Sequence, residues 1–243
     1  MTLAEILASL FPDGHDIVLD HGLLSGRGRR LQASAIVVIG VAERLPLGVE
    51  HAVRLSRPIL DAVKAASGDP ILVLVDSDSQ RMSKRDELLG LSEFLAHLAK
   101  CLIYAGMKGH PTVGLLYGHT AAGAFIATAL ATRLLLALPG AEPAVMDLPS
   151  MARVTKLPLA LLQEKAKSSA VFAPGIENLS LSGGVAAIWD PRISLQLQLR
   201  NALDALVRDG ERDTRDRLGK ARGGRPKAAD IAQRVYDLAG VLA

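Results

Sequence analysis

Residues 113–130 read VGLLYGHTAAGAFIATAL and decide how the middle of the chain folds. The stretch opens with an apolar run, which is typical of a strand buried on both faces. The run stops at Gly118-His119-Thr120 and continues as alanines, Gly123 and further apolar residues, which predicts a helix built of small residues. The corner between strand and helix carries no acid, lysine or serine nucleophile. Its chemistry therefore has to come from the backbone or from His119.

The segments on either side of this corner follow the same strand and helix pattern. Upstream, ILVLVDS at residues 71–77 predicts another buried strand, and a loop then leads to a long amphipathic helix over about 83–106, where leucines recur at spacings of three and four. Downstream, RLLLAL at 133–138 and AVMD at 144–147 predict further strands. Alternating strands and helices of this kind predict an α/β fold with a largely parallel sheet.

The ends of the chain add helices around this centre. Thr2 and Glu5 form a capping box for a short first helix, and strands are predicted near residues 16–20, 28–34 and 35–42. A helix is predicted over 49–66 with a kink or break at Pro58. After Pro149 the pattern is mainly helical, with helices predicted at 150–156, 158–167, 193–209 and 226–242 and one strand at 185–190. Because residues 208–226 are dense in charge and glycine, we divide the chain into a domain at 1–207 and a charged linker with a C-terminal helix at 208–243.

Composition narrows the possible classes of protein. The chain has 243 residues, of which 49% are apolar and only 3% aromatic, so its core consists of aliphatic side chains. The single cysteine, Cys101, excludes an internal disulfide framework and is interpreted as a small core residue. A net charge of +3 and few aromatics do not favour nucleic-acid binding. The sequence lacks a signal peptide and an apolar run long enough for a membrane span, which predicts a cytoplasmic protein.

The residues at the corner can be compared with the motifs of four familiar kinds of site, and they match none of them. A P-loop requires Lys-Ser/Thr where Ala124-Phe125 stands, and the dinucleotide pattern requires glycine at Thr120. A nucleophile elbow requires a serine that is absent. The histidines show no metal-ligand spacing around His119, so no metal site is predicted.

Two interpretations of the corner remain open from the residues alone. If the strand passes into a helix within two residues of Gly118, several N–H groups lack intrahelical acceptors and the helix dipole adds partial positive charge. Such a corner can stabilise a developing oxyanion, each donor being worth roughly 3–4 kcal/mol in the transition state. Alternatively, the small residues only permit close packing of helix on sheet. His119 is likewise either a proton-transfer group, with an ordinary histidine pKa near ~6.5, or a residue that hydrogen-bonds locally.

The order of motifs across this region resembles a known family. The elements follow in the order buried strand, loop, helix with Glu87-x-x-Gly90, second strand, small-residue corner and a strand beginning at Arg133. They lie in the two segments LVLVDSDSQRMSKRDELLGLSEFLAHL and PTVGLLYGHTAAGAFIATALATRLLLAL. This arrangement resembles the carboxyltransferase branch of the crotonase superfamily, and more closely the gamma subunits of biotin-independent malonate decarboxylases. The likeness covers about residues 15–205.

The resemblance implies both a fold and an activity. The fold is a crotonase-like spiral of ββα units with a helical C-terminal region. The activity is decarboxylation of malonyl-S-acyl carrier protein to acetyl-S-acyl carrier protein and carbon dioxide, in an active site shared with a beta subunit. The implied partners are that beta subunit, the acyl carrier protein (delta) subunit and, in the holoenzyme, the alpha subunit. No cofactor is bound directly, since the substrate is carried on the phosphopantetheine-type arm of the carrier protein.

The resemblance also assigns site residues. The family's oxyanion turn matches this sequence at Gly118, His119 and Thr120, which are assigned as catalytic. Related biotin-dependent carboxyltransferases have a Gly-Gly pair where His119-Thr120 stands, a departure that argues against biotin as the carboxyl acceptor. The loop from Ser77 faces the pocket from the preceding strand. The predicted substrate-binding residues are Ser79, Gln80 and Ala121.

Two other functions stay open at this point. The chain could be a carboxyltransferase subunit of a biotin-dependent acyl-CoA carboxylase, which would share the fold and move the carboxyl group to or from biotin. It could also be a non-catalytic subunit that completes the fold of an active partner. Dependence on a biotinylated carrier would support the first alternative, and full activity of the partner alone would support the second.

Overall fold

A computed structural model describes residues 1–29, 35–170, 174–210 and 213–241 of the chain. The helices are α1 (Leu3–Leu10), α2 (Val49–Ala65), α3 (Lys84–Leu88), α4 (Leu91–Met107), α5 (Ala122–Ala127), α6 (Leu148–Thr155), α7 (Leu159–Ser168), α8 (Ile176–Leu181), α9 (Leu195–Asp209), α10 (Arg215–Ala221) and α11 (Ala228–Val241). The strands are β1 (Val18–Asp20), β2 (Leu23–Gly28), β3 (Ile36–Leu47), β4 (Ile71–Gln80), β5 (Thr112–Leu116), β6 (His119–Ala121), β7 (Leu134–Ala137), β8 (Glu142–Ala144) and β9 (Ala187–Ile188).

The strands form one large sheet and one small sheet. The large sheet has seven strands in the order β1-β2-β3-β4-β5-β7-β9. β1, β2 and β3 are antiparallel neighbours, whereas β3, β4, β5, β7 and β9 run parallel. The small sheet pairs β6 with β8 in parallel. Because the parallel strands share one direction, the carboxyl ends of β3, β4 and β5 meet at the same edge of the large sheet, where ligands of open α/β sheets bind.

Helices cover both faces of the large sheet, as its sequence pattern requires. β3 alternates its side chains between the two faces: Val37 and Ile39 pack with α2, α4 and α5, whereas Ile36 and Val38 pack with α1, α9 and Trp189. The burial of each such side chain stabilises the fold by about 1.5–3 kcal/mol. The two apolar layers hold the parallel strands, and hence their carboxyl ends, in fixed positions.

Several predictions from the sequence are confirmed. The α/β class is correct, and the capping box of α1 is present, with the Thr2 side chain accepting from the Glu5 amide and Glu5 accepting from the Thr2 amide. The buried run at 71–77 lies within β4. Cys101 is buried in the core on α4. Burial raises the pKa of the Cys101 thiol, which suits an inert core residue.

The corner after β5 differs from its prediction. A helix was expected within two residues of Gly118, but a short strand, β6, comes first, and α5 begins only at Ala122 and ends at Ala127. β6 forms because residues 119–121 pair with residues 142–144, a partner the local sequence does not reveal. α5 ends at Ala127: the Thr128 amide still donates to the Ala124 carbonyl, but the Leu130 amide donates to the Phe125 carbonyl five residues back, so the i to i−4 pattern stops. With six residues, α5 offers little helix dipole.

Other element predictions need correction. The helix expected over 83–106 is two helices, because Gly90 adopts a left-handed φ of +80° between α3 and α4. The predicted break at Pro58 is absent, since α2 continues through it. The strand expected at 144–147 is shifted to β8, because pairing with β6 fixes its register. The predicted strand at 28–34 lies mostly outside the described residues.

The C-terminal region is helical, as predicted, and the division at residue 207 stays a prediction. α9 runs through that position to Asp209. Beyond it, α10 is bound to the body of the protein, because Arg222 donates to the carbonyls of Ser180, Val185 and Ala186. In the described part of the chain, no helix has the length and apolar character needed to span a membrane.

Candidate functional site

The candidate site lies where β4 and β5 end side by side. Val75 of β4 pairs with Leu116 of β5, so the residues that follow each strand emerge next to each other. Asp76 to Gln80 follow on β4, and Tyr117 and the predicted corner follow β5. The structure thus brings the two sets of predicted site residues to one edge of the sheet.

Gly118 is required at this position because there is no room for a side chain. A Cβ atom at this position would overlap the carboxyl group of Asp76 and come within 2.7 Å of the Asp76 Cβ. The space is used by Asp76 Oδ1, which accepts a hydrogen bond from the His119 amide at 3.0 Å. The sequence interpretation required free amides at this bend, and for His119 that expectation is wrong. The glycine allows a carboxylate from the neighbouring strand to cap the bend.

The side chain of Thr120 is buried and faces the sheet. Its hydroxyl lies 2.8 Å from the hydroxyl of Ser77, and both residues are fully buried. This hydroxyl pair joins β6 to β4 inside the protein, away from any open surface. A side-chain role for Thr120 in binding substrate is therefore not supported, and its assignment as catalytic stays a prediction for its backbone.

The turn from β6 into α5 contains the other predicted contact. Ala122 has a left-handed φ of +47°, which is unfavourable for a residue with a Cβ. The Gly123 amide that follows donates to Gln80 Oε1 at 2.9 Å. Gln80 and the corner are thus in contact, as their joint assignment to the site requires. Ser79 does not join this contact with its hydroxyl, which donates to the Gln80 carbonyl at 3.1 Å.

The ring of His119 lies between two carboxylates. Its Nε2 is 3.8 Å from Asp78 Oδ1, and its Nδ1 is 3.7 Å from Glu142 Oε2. The side chain is 23% exposed, so one edge of the ring reaches the surface, whereas Nδ1 is buried and has no hydrogen-bond partner. Both carboxylates are close enough for ion pairs when the ring is protonated. The imidazole therefore lies at this edge of the sheet with a carboxylate on each side.

An ionic cluster beside Gln80 was not predicted from the sequence. The guanidinium of Arg81 binds Asp86 (Nη2–Oδ1, 2.9 Å) and Glu50 (Nη1–Oε1, 2.7 Å and Nη2–Oε2, 2.8 Å). Asp86 is fully buried and also accepts from the Ser83 hydroxyl at 2.8 Å. The Arg81 guanidinium lowers the pKa of Asp86, and it lowers the pKa of Glu50 to about 2. We call Arg81, Glu50 and Asp86 the arginine clamp.

The arginine clamp joins three segments around the end of β4. Glu50 lies in the first turn of α2, Arg81 directly follows β4, and Asp86 lies in α3. Gly48 leaves room for the guanidinium, because a Cβ there would overlap it. The Arg81 amide donates to the Leu47 carbonyl at 2.7 Å. The clamp therefore fixes the backbone next to Gln80. Arg81 and Asp86 are close in sequence, but Glu50 lies 31 residues before Arg81, so only the folded chain shows the complete clamp.

Burial also changes the pKa of Tyr117, the residue that follows β5. Its hydroxyl donates to the Val41 carbonyl at 3.2 Å. Burial, with the nearby carboxylates of Asp76 and Glu43, raises the pKa of this phenol, so Tyr117 stays protonated at neutral pH. Among the residues of the described ranges, no three His, Cys, Asp or Glu side chains are grouped as ligands for a metal ion.

Comparisons with known proteins agree on one family. The family model for the malonate decarboxylase gamma subunit matches residues 42–239. The malonyl-S-ACP:biotin-protein carboxyltransferase MADD of Malonomonas rubra is 29% identical over 148 residues, which are 57% of this chain and 51% of that protein. The match thus spans about half the length of that relative.

Solved structures share the fold. A Pseudomonas malonate decarboxylase hetero-tetramer in complex with coenzyme A superimposes with a TM-score of 0.78 at 19% identity, covering 96% of this chain and 98% of that chain. A Pseudomonas MdcD-MdcE hetero-dimer gives 0.72 at 22% identity, covering 96% and 97%. The transcarboxylase 12S core with hydrolysed methylmalonyl-coenzyme A gives 0.68 at 15% identity, over 84% of this chain and 40% of that chain. These matches confirm the predicted crotonase-like carboxyltransferase fold.

Proposed function

Because this chain belongs to the malonate decarboxylase gamma-subunit family, we propose that it acts with a beta subunit to decarboxylate a malonyl thioester carried on an acyl carrier protein. The bond between the carboxylate and the α-carbon breaks, carbon dioxide leaves, and the electron pair remains as a thioester enolate. A proton added to the α-carbon then gives the acetyl thioester. The family match over residues 42–239 is the observation that carries this proposal.

The partners and the location are part of the same proposal. The related structures are a hetero-dimer and a hetero-tetramer, which supports a partner subunit for this chain. We propose a beta subunit that completes the site, a carrier protein and an alpha subunit as further components, and the cytoplasm as the location. The biotin-dependent carboxyltransferase is the less favoured alternative, since the family match is to a decarboxylase subunit.

The experiment that tests the function is a reconstitution with omissions. Purified chain, beta subunit and malonyl-carrier protein are mixed, and carbon dioxide release is followed with each component left out in turn. We expect release only when both subunits are present. Full release by the beta subunit alone would make this chain a non-catalytic companion, and a requirement for a biotinylated carrier would make it a carboxyltransferase subunit.

Stabilisation of the enolate is proposed at the Gly123 amide rather than at the His119 amide. Asp76 is a charged acceptor on the His119 amide, and a neutral thioester oxygen competes poorly with it. Gln80 is an uncharged acceptor on the Gly123 amide, and a thioester oxygen is an acceptor of similar strength. We propose that the substrate oxygen displaces Gln80 Oε1. As negative charge develops on that oxygen, its bond to the Gly123 amide strengthens, which lowers the barrier.

The Gln80→Glu variant tests this displacement. A glutamate carboxylate would bind the Gly123 amide with a charge-assisted hydrogen bond and would repel the enolate. We expect kcat/KM to fall about 100-fold or more. In Gln80→Ala the amide is free, so the loss should be about tenfold or less. Turnover of Gln80→Glu at the wild-type rate, measured as carbon dioxide release by the assembled complex, would contradict the displacement.

His119 is proposed to supply the proton that the enolate gains at carbon. Its ring reaches the surface at the corner and is held between Asp78 and Glu142. A positioned general acid contributes about 10²–10⁴-fold to a rate. We expect the His119→Gln variant to lose about 100-fold in kcat with little change in KM, because glutamine keeps a polar group at the position but transfers no proton. Near-normal turnover would leave His119 with a local hydrogen-bonding role only.

A further inference from the structure

The helical hairpin formed by α6 and α7 packs against little of the protein. α6 has no buried residue, and α7 has one, Leu162. Large apolar side chains are instead exposed on it, including Val154 at 69%, Leu157 at 43% and Leu161 at 43%. Exposed apolar side chains concentrated in one short segment make that segment a candidate binding surface. We call residues 147–168 the α6–α7 hairpin.

Positive charge surrounds the apolar side chains of this hairpin. Its basic residues are Arg153, Lys156, Lys165 and Lys167, and its acidic residues are Asp147 and Glu164. Both acids are already engaged: Asp147 accepts from the Ser150 amide as the cap of α6, and Glu164 pairs with Lys167 at 2.9 Å. The hairpin therefore has a net charge of +2, and Lys156 and Lys165 remain exposed at its surface. An acidic partner complements this surface.

The hairpin begins next to the candidate site. β8 pairs with β6 at the corner, and α6 starts four residues after the end of β8. A groove of about 400 Å³ lies between the hairpin and the body of the protein, lined in part by Ala144, Val145, Met146 and Met151. Ala144 itself pairs with Ala121. The groove beside the hairpin is therefore adjacent to the corner through Ala144.

We propose that the α6–α7 hairpin is the docking surface for the acidic carrier protein that delivers the malonyl thioester. This inference rests on the proposed function and names the surface that receives its substrate carrier. A permanent subunit interface is depleted in lysine at its core, whereas this surface mixes exposed lysines with a few leucines and a valine. Such a mixture suits a partner that binds transiently and is steered by charge.

The test uses the complex with the beta subunit and two matched double variants. Lys156→Gln with Lys165→Gln removes two charges from the hairpin, and Lys64→Gln with Lys100→Gln removes two from exposed positions on α2 and α4. At low salt, we expect the hairpin variant to lose about tenfold in kcat/KM for malonyl-carrier protein and nothing for malonyl-pantetheine. The loss should shrink as salt rises. The control variant should match wild type with both substrates.

Other outcomes would overturn the proposal in distinguishable ways. Equal loss with malonyl-pantetheine would place the lysines in catalysis, and loss of co-elution with the beta subunit would make the hairpin a subunit interface. Binding of fluorescently labelled carrier protein to the complex, measured by anisotropy, requires no turnover. If the wild-type complex fails to decarboxylate, the proposed function fails, yet a Kd weakened about tenfold only in the hairpin variant would still support docking. Equal Kd values for both variants would refute it.

Discussion

Replacement of Gly118 by alanine is expected to destabilise the protein by about 1–3 kcal/mol and to reduce decarboxylation at least tenfold. The new Cβ would overlap the carboxyl group of Asp76, which must then move. The His119 amide would lose its acceptor at a half-buried position, and the unpaired donor accounts for the loss of stability. The imidazole of His119 would shift together with its backbone.

Thermal unfolding and turnover measure this effect, with Gly106→Ala as the matched control. Gly106 lies in α4, and nothing is within 4 Å of a Cβ built on it, so alanine there should be neutral or slightly stabilising. For a chain of this length, 1 kcal/mol corresponds to a change of roughly 2–4 °C in Tm. A Gly118→Ala variant with wild-type Tm and turnover would show that Asp76 does not fill this space.

A double variant separates the overlap between the new Cβ and Asp76 from other effects of the Gly118→Ala substitution. In Asp76→Gly both the carboxyl group and the Cβ that would meet the new Cβ are gone, so adding Gly118→Ala should destabilise further by much less than it does in the wild type. Residues in direct contact commonly show such non-additivity, with interaction energies of about 0.5–3 kcal/mol. Additive losses would mean that the two residues do not compete for the same space.

The sequence predicted the fold well where one local pattern was sufficient. The run at 71–77 is short, rich in β-branched residues and apolar at nearly every position, which favours a strand buried on both faces over a helix, so β4 was predictable. The capping box of Thr2 and Glu5 is likewise a local signal, and it is present. Predictions failed where pairing with residues distant in sequence determines the secondary structure. Nothing in HTA at 119–121 indicates a strand, because its pairing partner is residues 142–144.

The candidate site was likewise only partly predictable from the sequence. The predicted residues Gln80 and His119 do lie at the corner, because the order of strands places the ends of β4 and β5 together. The acceptors of the corner amides were not predictable, since Asp76 and Gln80 are each 43 residues away from the amides they bind. Chain spacing predicts which strand ends meet, whereas the direction of each side chain depends on packing that only the folded chain provides.

The arginine clamp gives the largest stability effect that we expect. In Arg81→Met, Asp86 would remain fully buried and would lose its close, two-point ion pair, keeping only the longer contact with Arg85 (Nη1–Oδ1, 3.5 Å). Removal of one partner of a buried ion pair typically destabilises by about 3–5 kcal/mol. We expect about 3 kcal/mol here, because Arg81 is itself 29% exposed and the Ser83 hydroxyl still donates to Asp86. Turnover should also fall, since the backbone at Gln80 loses its anchor.

Arg192→Met is the matched control for this variant. Arg192 makes a comparable bidentate pair with Asp190 (Nε–Oδ1, 3.0 Å and Nη2–Oδ2, 2.7 Å), but its side chain is 88% exposed. Exposed pairs contribute about 0–1 kcal/mol, so its loss should hardly change Tm. Chemical denaturation of the three proteins at neutral pH measures the difference. A loss in Arg81→Met no larger than that in Arg192→Met would mean that the clamp does not stabilise the fold.

The pH dependence distinguishes the clamp from a loss of packing alone. Arg81 lowers the pKa of Asp86, and lowers that of Glu50 to about 2, whereas unfolded carboxyl groups titrate near ~4. The stability that the clamp contributes is therefore fully present above pH ~4 and is lost as pH falls from there toward 2. Glu50 contributes the smaller share because it is 43% exposed and screened by solvent. The Tm difference between wild type and Arg81→Met should accordingly shrink between pH 7 and pH 3, whereas a packing defect would keep it constant.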